Sequence, residues 1–193
     1  MNTSHGISRL ANEGWLLIEG VLLAKEIAAM HTAWDEFEVS ENQTWDVAGK
    51  CEFLPCIESP ILFEFLPALL GDAIKLESLK GRSPKPDYGL QGLHVDTVGP
   101  VKPGEQILAN AFWILDEMSR ENGATRLVPD SHKTYSVPAG NYAQPNGKHP
   151  NEIYISANPG DLLLFSAHLW HSGSRNESGT RRRVVIAQFR RRK

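Results

Sequence analysis

The sequence is poor in cysteine and in long apolar runs, and each shortage excludes a class of protein. Its two cysteines, Cys51 and Cys56, cannot build a disulfide scaffold, and their spacing is not the Cys-x-x-Cys of zinc and redox sites. No run of about 18 apolar residues could span a bilayer. The first five residues lack the basic and then apolar order of a signal peptide. We therefore expect a cytoplasmic protein without a membrane partner.

Basic charge is also scarce over most of the chain. Seven of the 20 Lys and Arg residues lie in the last 13 positions, so residues 1–180 hold 13 basic against 23 acidic residues, a net charge of −10. Proteins bind the phosphate backbone of nucleic acids through broad basic surfaces, so we expect no nucleic-acid partner. The basic C-terminal run is typical of a solvated tail. No heptad or exposed strand pattern predicts an oligomeric interface.

No repeat, low-complexity tract or Gly/Ser linker divides the chain, so residues 1–193 are predicted to form one domain. A short apolar strand is expected at 15–21, followed by a helix. A second helix is predicted over 60–70, because proline stands near its start and Gly71 follows its end. The apolar stripe of the first helix consists of Ile27, Met30, Trp34 and Phe37.

From residue 73 onward the helical period disappears, and short β-type runs alternate with turn residues. Seven strands after two helices predict a mainly β fold, an antiparallel sandwich or barrel with N-terminal helices. The connection 129–151 is rich in Pro and Gly and has no clear period, which is typical of a lid or binding loop. The predicted strands are 74–79, 92–97, 106–115, 125–128, 152–156, 161–170 and 183–189.

His94 and Asp96 form a His-x-Asp pair on a predicted strand. Residues i and i+2 of a strand point to the same face, so the imidazole and the carboxylate project together and can bind one metal ion. The third ligand has to come from another segment. His171 is the best candidate, because it ends the apolar run that follows the turn Pro159-Gly160-Asp161.

Two histidines and one carboxylate on one face of an octahedron leave three positions open, the arrangement of non-haem Fe(II) oxygenases. Three open positions can hold a bidentate cosubstrate and O2 together. If that cosubstrate is 2-oxoglutarate, its distal carboxylate needs a planar, permanently charged partner, which is arginine rather than lysine. Three adjacent arginines, 181–183, open the strand that follows His171.

Several ordered motifs resemble the phytanoyl-CoA dioxygenase family of Fe(II)- and 2-oxoglutarate-dependent oxygenases. Segment 14–22 is similar to the N-terminal entry of the family, so the resemblance covers most of the chain. A His-x-Asp tripeptide is common by chance, whereas four ordered elements with compatible spacing are specific. Compared with the family, the chain is short before His94 and around the loop 129–151. The other resembling segments are His94-x-Asp96, the run from Trp113 through Gly123 to Lys133, and the run from Pro159-Gly160-Asp161 through Trp170-His171 to Asn176.

The resemblance implies a double-stranded β-helix, a cupin-like relative of the jelly roll. It also implies a choice among the arginines. In the family the cosubstrate arginine follows the distal histidine by eleven positions, which selects Arg182 when the ligand is His171. With His168 as the ligand, the same position falls on Gly179, which has no side chain.

Asn110 and Phe112 share one face of a predicted strand. The resemblance implies that the position of Phe112 lines the cosubstrate pocket, and that Asn110 could donate a hydrogen bond to the cosubstrate carboxylate. Packing in the core is the alternative for both residues. The residues assigned to the substrate pocket are Arg82, Trp113, His168 and Tyr135.

These residues indicate an enzyme that converts 2-oxoglutarate and O2 to succinate and CO2 while it oxidises a small molecule. Hydroxylation is the default outcome, and desaturation, epoxidation and ring closure are alternatives. Halogenating relatives replace the metal-binding carboxylate with a small residue, so Asp96 favours oxygenation. The small size of the chain suits a tailoring enzyme of specialised metabolism, with the loop 129–151 closing over its substrate.

Two other functions could use the same ligands. A nucleic-acid demethylase would need a basic groove with base-stacking aromatics, and the charge of residues 1–180 counts against it. A metal-binding jelly-roll protein could instead bind or sense a carboxylated metabolite without oxidising it. Such a protein would bind Fe(II) tightly and form no succinate with any substrate.

Overall fold

The computed structural model describes residues 2–36, 44–100, 102–134 and 136–192, which contain five α-helices and nine strands. The helices are α1 Thr3–Glu13, α2 Ala24–Asp35, α3 Pro55–Glu58, α4 Pro60–Phe65 and α5 Pro67–Leu70. The strands are β1 Trp15–Ile18, β2 Thr44–Asp46, β3 Ile74–Arg82, β4 Leu108–Ile114, β5 Thr125–Leu127, β6 Ile153–Tyr154, β7 Leu162–Ser166, β8 His171–Gly173 and β9 Val184–Arg191.

The strands form two antiparallel sheets. The larger sheet has the order β1-β7-β4-β9-β3-β2, and the smaller one has the order β6-β5-β8. Apolar side chains of both sheets share one buried cluster, so the sheets pack face to face. This is the arrangement of a double-stranded β-helix, and the predicted mainly β fold with N-terminal helices is confirmed.

Alternation along the strands of the larger sheet separates two cores. On β7, Leu162 and Leu164 pack on the side of the helices, whereas Leu163 and Phe165 pack against the smaller sheet. The helices cover the outer face closely. On β3, a Cβ atom on Gly81 would lie 2.8 Å from the Trp34 ring of α2, so glycine is needed where this ring lies on the strand.

The helical region differs in three ways from the prediction, and one of them is helix α3, which lies before the predicted helix 60–70. Helix α1 was not predicted; Asn2 caps its first turn by accepting from the Ser4 amide, and it ends at Gly14 with φ 81°. The predicted helix 60–70 is two helices, because Pro67 lacks an amide hydrogen and breaks the hydrogen-bond series after α4. The predicted stripe of α2 faces the core at Met30 and Trp34, and Phe37 lies outside the described residues.

The strand prediction is wrong at 92–97, which carries His94 and Asp96, and too long at 161–170, which precedes His171. Segment 92–97 is a loop in which only His94 pairs, through an isolated bridge to His171. Segment 161–170 is a strand only up to Ser166. A turn follows it, and β8 begins at His171 in the other sheet. The chain therefore crosses from one sheet to the other between His168 and His171.

Candidate metal and cosubstrate site

The three predicted metal ligands meet between the sheets. One ligand atom from each of His94, Asp96 and His171 lies within 4.8 Å of the other two. The Asp96 carboxylate is 4.0 Å from His94 Nε2 and 3.6 Å from His171 Nε2, and the two ring centroids are 4.4 Å apart. Two imidazoles and one carboxylate at these distances can bind one divalent transition metal ion.

Backbone hydrogen bonds bring the ligands together although His94 and Asp96 are not on a regular strand. The amides of His94 and His171 each donate to the carbonyl oxygen of the other, at 3.0 Å. The Asp96 amide donates to the carbonyl oxygen of Ala167 at 2.9 Å, in the turn that leads to His171. The distal histidine is thus positioned by the same contacts that hold the His-x-Asp segment.

Hydrogen bonds at the other ring nitrogens set the imidazoles up for metal binding. His94 Nδ1 lies 3.0 Å from the Gly92 carbonyl oxygen, and His171 Nδ1 lies 2.8 Å from that of Leu169. When Nδ1 donates to these carbonyls, Nε2 carries the lone pair that faces the other ligands. Burial lowers the pKa of His171 to about 4, which favours the neutral imidazole that a metal requires. The donor set fits Fe(II).

A cavity of about 210 Å³ extends from these ligands along the inner face of the larger sheet. The three metal ligands line it together with Arg82, the last residue of β3, and Arg182, two residues before β9. Its remaining lining includes Lys80 on β3, Asn110 and Phe112 on β4, and Ile186 and Gln188 on β9.

The structure distinguishes the three adjacent arginines. Arg181 is exposed and pairs with Asp35, while Arg183 points away from the cavity and pairs with Asp116. Arg182 is 3% exposed and lines the cavity. Its Nε has no hydrogen-bond partner within the described chain. Burial, together with the neighbouring charge of Arg82, lowers the pKa of Arg182 to about 9. A carboxylate next to Arg182 in the cavity would accept hydrogen bonds from its guanidinium group.

The ion pair of Arg183 anchors the backbone next to Arg182. Asp116 Oδ2 accepts from the amide and from Nε of Arg183, both at 2.8 Å, and Oδ1 accepts from the guanidinium at 2.9 Å. Burial raises the pKa of Asp116, but these hydrogen bonds outweigh it and hold the pKa below its ordinary value of 3.8. The stabilisation by the ion pair between Asp116 and Arg183 is therefore present above pH 3.8, and it is lost as the pH falls through the lower pKa that Asp116 has in the folded protein.

We expect Asp116→Asn to lower the free energy of unfolding at pH 7 by about 2 kcal/mol, because the charged hydrogen bonds to Arg183 are lost. The difference from the wild type in the free energy of unfolding should narrow as the pH falls below 3.8, the ordinary pKa of the Asp116 carboxyl. Urea denaturation at pH 7 and at a series of pH values below 3.8 measures it. Asp35→Asn is the control, since Asp35 is exposed and its ion pairs with Arg181 and Arg183 contribute little. Equal stability of both variants at pH 7 would contradict this interpretation.

Three further predicted residues line the cavity. Phe112 packs edge-on against Phe165, which in turn contacts the His171 ring. Asn110 is fully buried, and its amide donates to Asp96 Oδ2 at 2.6 Å, so its partner here is the metal-binding carboxylate. Arg82 lies near Arg182 and donates to Gln91 Oε1 at 3.1 Å.

Two residues predicted for the substrate pocket are corrected by the structure. Trp113 is on the opposite face of β4 and fully buried among the helices. His168 is buried in the turn after β7, where its Nε2 lies 3.4 Å from the Ile107 amide, and it does not line the cavity. It is also not on an extended strand, so strand alternation does not describe it. Tyr135 lies outside the described residues.

The loop 129–151 passes along the edge of the metal ligands. The Leu93 amide donates to the carbonyl oxygen of Tyr142, and the Trp170 indole donates to that of Ser136. Leu93 and Trp170 each precede a metal ligand. Closure of this loop over a substrate remains a prediction.

Two polar residues near the site, the buried Arg126 and the half-buried Gln188, were not predicted. Arg126 is 2% exposed, pairs with Glu152, and donates to the carbonyl oxygens of Gln91 and Gly147, so it ties the loop to the metal-binding segment. Gln188 lines the cavity next to Asn110. Two features of the sequence could have indicated these residues. Arg126 is a charged residue inside the predicted strand 125–128, and Gln188 is a polar residue at the inward-facing position that follows Val184 and Ile186.

A double-stranded β-helix that holds two histidines, a carboxylate and a buried unpaired arginine defines a non-haem iron oxygenase of the 2-oxoglutarate-dependent class. The phytanoyl-CoA dioxygenase family model matches residues 80–184. The chain belongs to this family, and the predicted resemblance is confirmed.

Individual relatives agree with this assignment. Dioxygenase af480 of Aspergillus fumigatus is 24% identical over 98% of this chain and 67% of its own length. The chain spans about a third of the length of several other relatives. One of them is dioxygenase cnsJ of Penicillium expansum, which is 32% identical over 60% of this chain and 36% of its own length. Among solved structures, HygX from Streptomyces hygroscopicus with nickel and 2-oxoglutarate bound has a TM-score of 0.79 at 17% identity, covering 97% of this chain and 86% of HygX. HygX has also been solved with hygromycin B bound.

Within the described residues, no helix is both long and apolar enough to cross a membrane.

Proposed function

We propose that the chain, as one dioxygenase domain over 1–193, uses Fe(II), 2-oxoglutarate and O2 to hydroxylate a small-molecule metabolite. His94, Asp96 and His171 would hold the iron, and Arg182 would bind the distal carboxylate of 2-oxoglutarate. Bound iron and 2-oxoglutarate would supply the oxidising chemistry, with succinate and CO2 as the products of the cosubstrate. The residues of the chain would bind and orient the cosubstrate and the substrate, and they would exclude water from the site.

The observation that carries this proposal is the charge of the cavity. Arg182 is buried and Arg82 is half-buried in its wall, and among the described residues neither forms an ion pair. Unpaired guanidinium groups removed from water are costly in free energy, and a dianionic cosubstrate that reaches from the metal ligands to the arginines would compensate their charge. Phe112 and Ile186 form the apolar wall along the carbon chain of this cosubstrate.

Two further observations support the outcome of the reaction and the kind of substrate. A carboxylate at Asp96 occupies the position that halogenating enzymes leave free, which supports oxygenation. Hygromycin B in a HygX structure supports a substrate of the size of a specialised metabolite. A cytoplasmic location and the lack of a nucleic-acid partner remain predictions; cell fractionation and a DNA-binding assay would test them.

Anaerobic titration with Fe(II) and then 2-oxoglutarate tests the proposal. We expect a visible metal-to-ligand charge-transfer band that requires both additions. Exposure to O2 should then form succinate, slowly without a substrate and faster with one. Absence of the band in excess metal and cosubstrate would refute the oxygenase. A band without succinate, with every candidate substrate, would identify the protein as a metal-dependent binder of 2-oxoglutarate.

A further inference from the structure

Asp96 is the terminus of a polar row that crosses three strands of the larger sheet. Ser78 on β3 is directly opposite Gln188 on β9, and Gln188 is directly opposite Asn110 on β4. Residues paired across neighbouring strands point to the same face. The three side chains therefore lie side by side on the inner face, and the Asn110 end of the row reaches the metal-binding carboxylate.

Hydrogen bonds connect the whole row. Ser78 Oγ donates to Gln188 Oε1 at 3.0 Å, and Gln188 Nε2 donates to Asn110 Oδ1 at 3.1 Å. Asn110 Nδ2 donates to Asp96 Oδ2 at 2.6 Å, and Gln188 Nε2 lies 3.5 Å from the same oxygen. The two amides of the row are thus directed at one carboxylate oxygen, and the hydroxyl of Ser78 donates to the amide of Gln188.

The direction of these bonds is dictated by the carboxylate. An ionised carboxylate only accepts hydrogen bonds, so Asn110 has to present its NH2 group to Asp96. Its carbonyl oxygen then faces Gln188, which has to donate, and the Gln188 oxygen is left to accept from Ser78. Every amide in the row therefore has one allowed orientation, and all of them follow from the charge of Asp96.

A local irregularity of β3 makes this row possible. The register between β3 and β9 shifts between Leu76 and Ser78, which is a β-bulge. Bulges change the direction in which a side chain points and are frequent next to active sites. Here the bulge immediately precedes Ser78, the residue that completes the row.

We infer that Asn110 is a positioning residue that reserves Asp96 Oδ2. Gln188 acts mainly through Asn110, because its own contact with Oδ2 is 3.5 Å long against 2.6 Å for Asn110, and Ser78 acts through Gln188. Asp96 Oδ1 lies 4.0 Å from His94 Nε2, and Oδ2 lies 3.6 Å from His171 Nε2. Because Oδ2 already accepts from Asn110, Oδ1 would bind the metal, and Asp96 would contribute a single ligand atom. This inference rests on the proposed metal site. It explains how the carboxylate leaves three coordination positions open, as a bidentate cosubstrate and O2 require.

The test is the affinity for the metal alone, measured by anaerobic titration of the purified protein with Fe(II) and, as a spectroscopic probe, Co(II). We expect Asn110→Leu to raise the dissociation constant about 10- to 100-fold, as is usual when a hydrogen-bond partner of a metal ligand is removed. Gln188→Leu should raise it less. Because Gln188 acts through Asn110, the double variant should match Asn110→Leu to within about twofold. The Co(II) ligand-field bands should shift in Asn110→Leu.

Asn122→Leu is the matched control. Asn122 is also a buried amide, which accepts from the Ser119 amide and donates to the Glu117 carbonyl oxygen away from the site. This variant should lose stability to urea and keep the metal affinity of the wild type. Wild-type affinity in Asn110→Leu and Gln188→Leu would overturn the inference. If Asn110→Leu does not fold, additive losses of affinity in Gln188→Leu and Ser78→Ala would also overturn it, because two members of one row cannot act independently. Failure of the wild type to bind metal would instead refute the proposed function.

Discussion

Replacing His171 with alanine should weaken Fe(II) binding about 100-fold or more. Apparent metal-binding free energies in four-ligand protein sites, about 10–16 kcal/mol, correspond to about 3 kcal/mol for each ligand. The loss here should be at least as large, because His171 is held by two backbone hydrogen bonds to His94 and by the carbonyl of Leu169, so no other side chain can replace it without moving both segments. Anaerobic titration against a competing chelator measures the effect.

His168→Ala is the control for this variant. His168 is three residues away, equally buried and also a histidine, but it lies outside the cluster of ligand atoms. Its replacement should leave Fe(II) affinity unchanged and lower stability through the cavity that it creates. If His168→Ala lost the metal and His171→Ala kept it, the two histidines would have exchanged roles, and the choice of Arg182 by its distance from the ligand would fail as well.

Replacing Arg182 with methionine should have two effects of opposite sign. The dissociation constant of 2-oxoglutarate should rise about 100-fold, because charge-assisted hydrogen bonds worth about 3 kcal/mol in total are lost. The free energy of unfolding of the protein without cosubstrate should stay the same or increase. Methionine removes a buried guanidinium whose Nε has no partner and which lies close to the charge of Arg82.

The charge-transfer band as a function of 2-oxoglutarate concentration, and urea denaturation, measure these two effects. Arg181→Met is the control, since Arg181 is exposed and pairs with Asp35, and it should change neither quantity appreciably. Arg182→Lys keeps the charge and loses the bidentate geometry, so it should bind more tightly than Arg182→Met and less tightly than the wild type. A large loss of stability in Arg182→Met without a change in affinity would show that the residue is structural.

The metal ligands could be predicted because each belongs to a short motif whose chemistry is local. His94 and Asp96 are two residues apart, and His171 ends an apolar run that a Pro-Gly-Asp turn introduces. Their convergence did not require the predicted strands to be right. Segment 92–97 is a loop, but mutual backbone hydrogen bonds with His171 direct its side chains as a strand would.

The contacts of the site could not be predicted because they depend on pairing across distant strands. The family resemblance and the strand face shared with Phe112 predict that Asn110 contacts the cosubstrate. Only the register between β4 and β9 shows that Gln188 lies beside Asn110, whose amide is directed at Asp96. His168 was misplaced for a related reason, since hydrophobicity is continuous over 161–170 and does not reveal where the chain leaves one sheet for the other.

The position of β9 has a consequence for how the protein folds. The last strand of the chain lies inside the larger sheet, between β4 and β3, and its partner β3 was synthesised more than 100 residues earlier. Such non-local pairing makes folding slow. Until residues 184–191 have left the ribosome, β3 and β4 have no shared neighbour and the row from Ser78 to Asp96 lacks its middle member. Firm binding of metal at this site is therefore expected only after residues 184–191 have emerged and β9 has paired with β3 and β4.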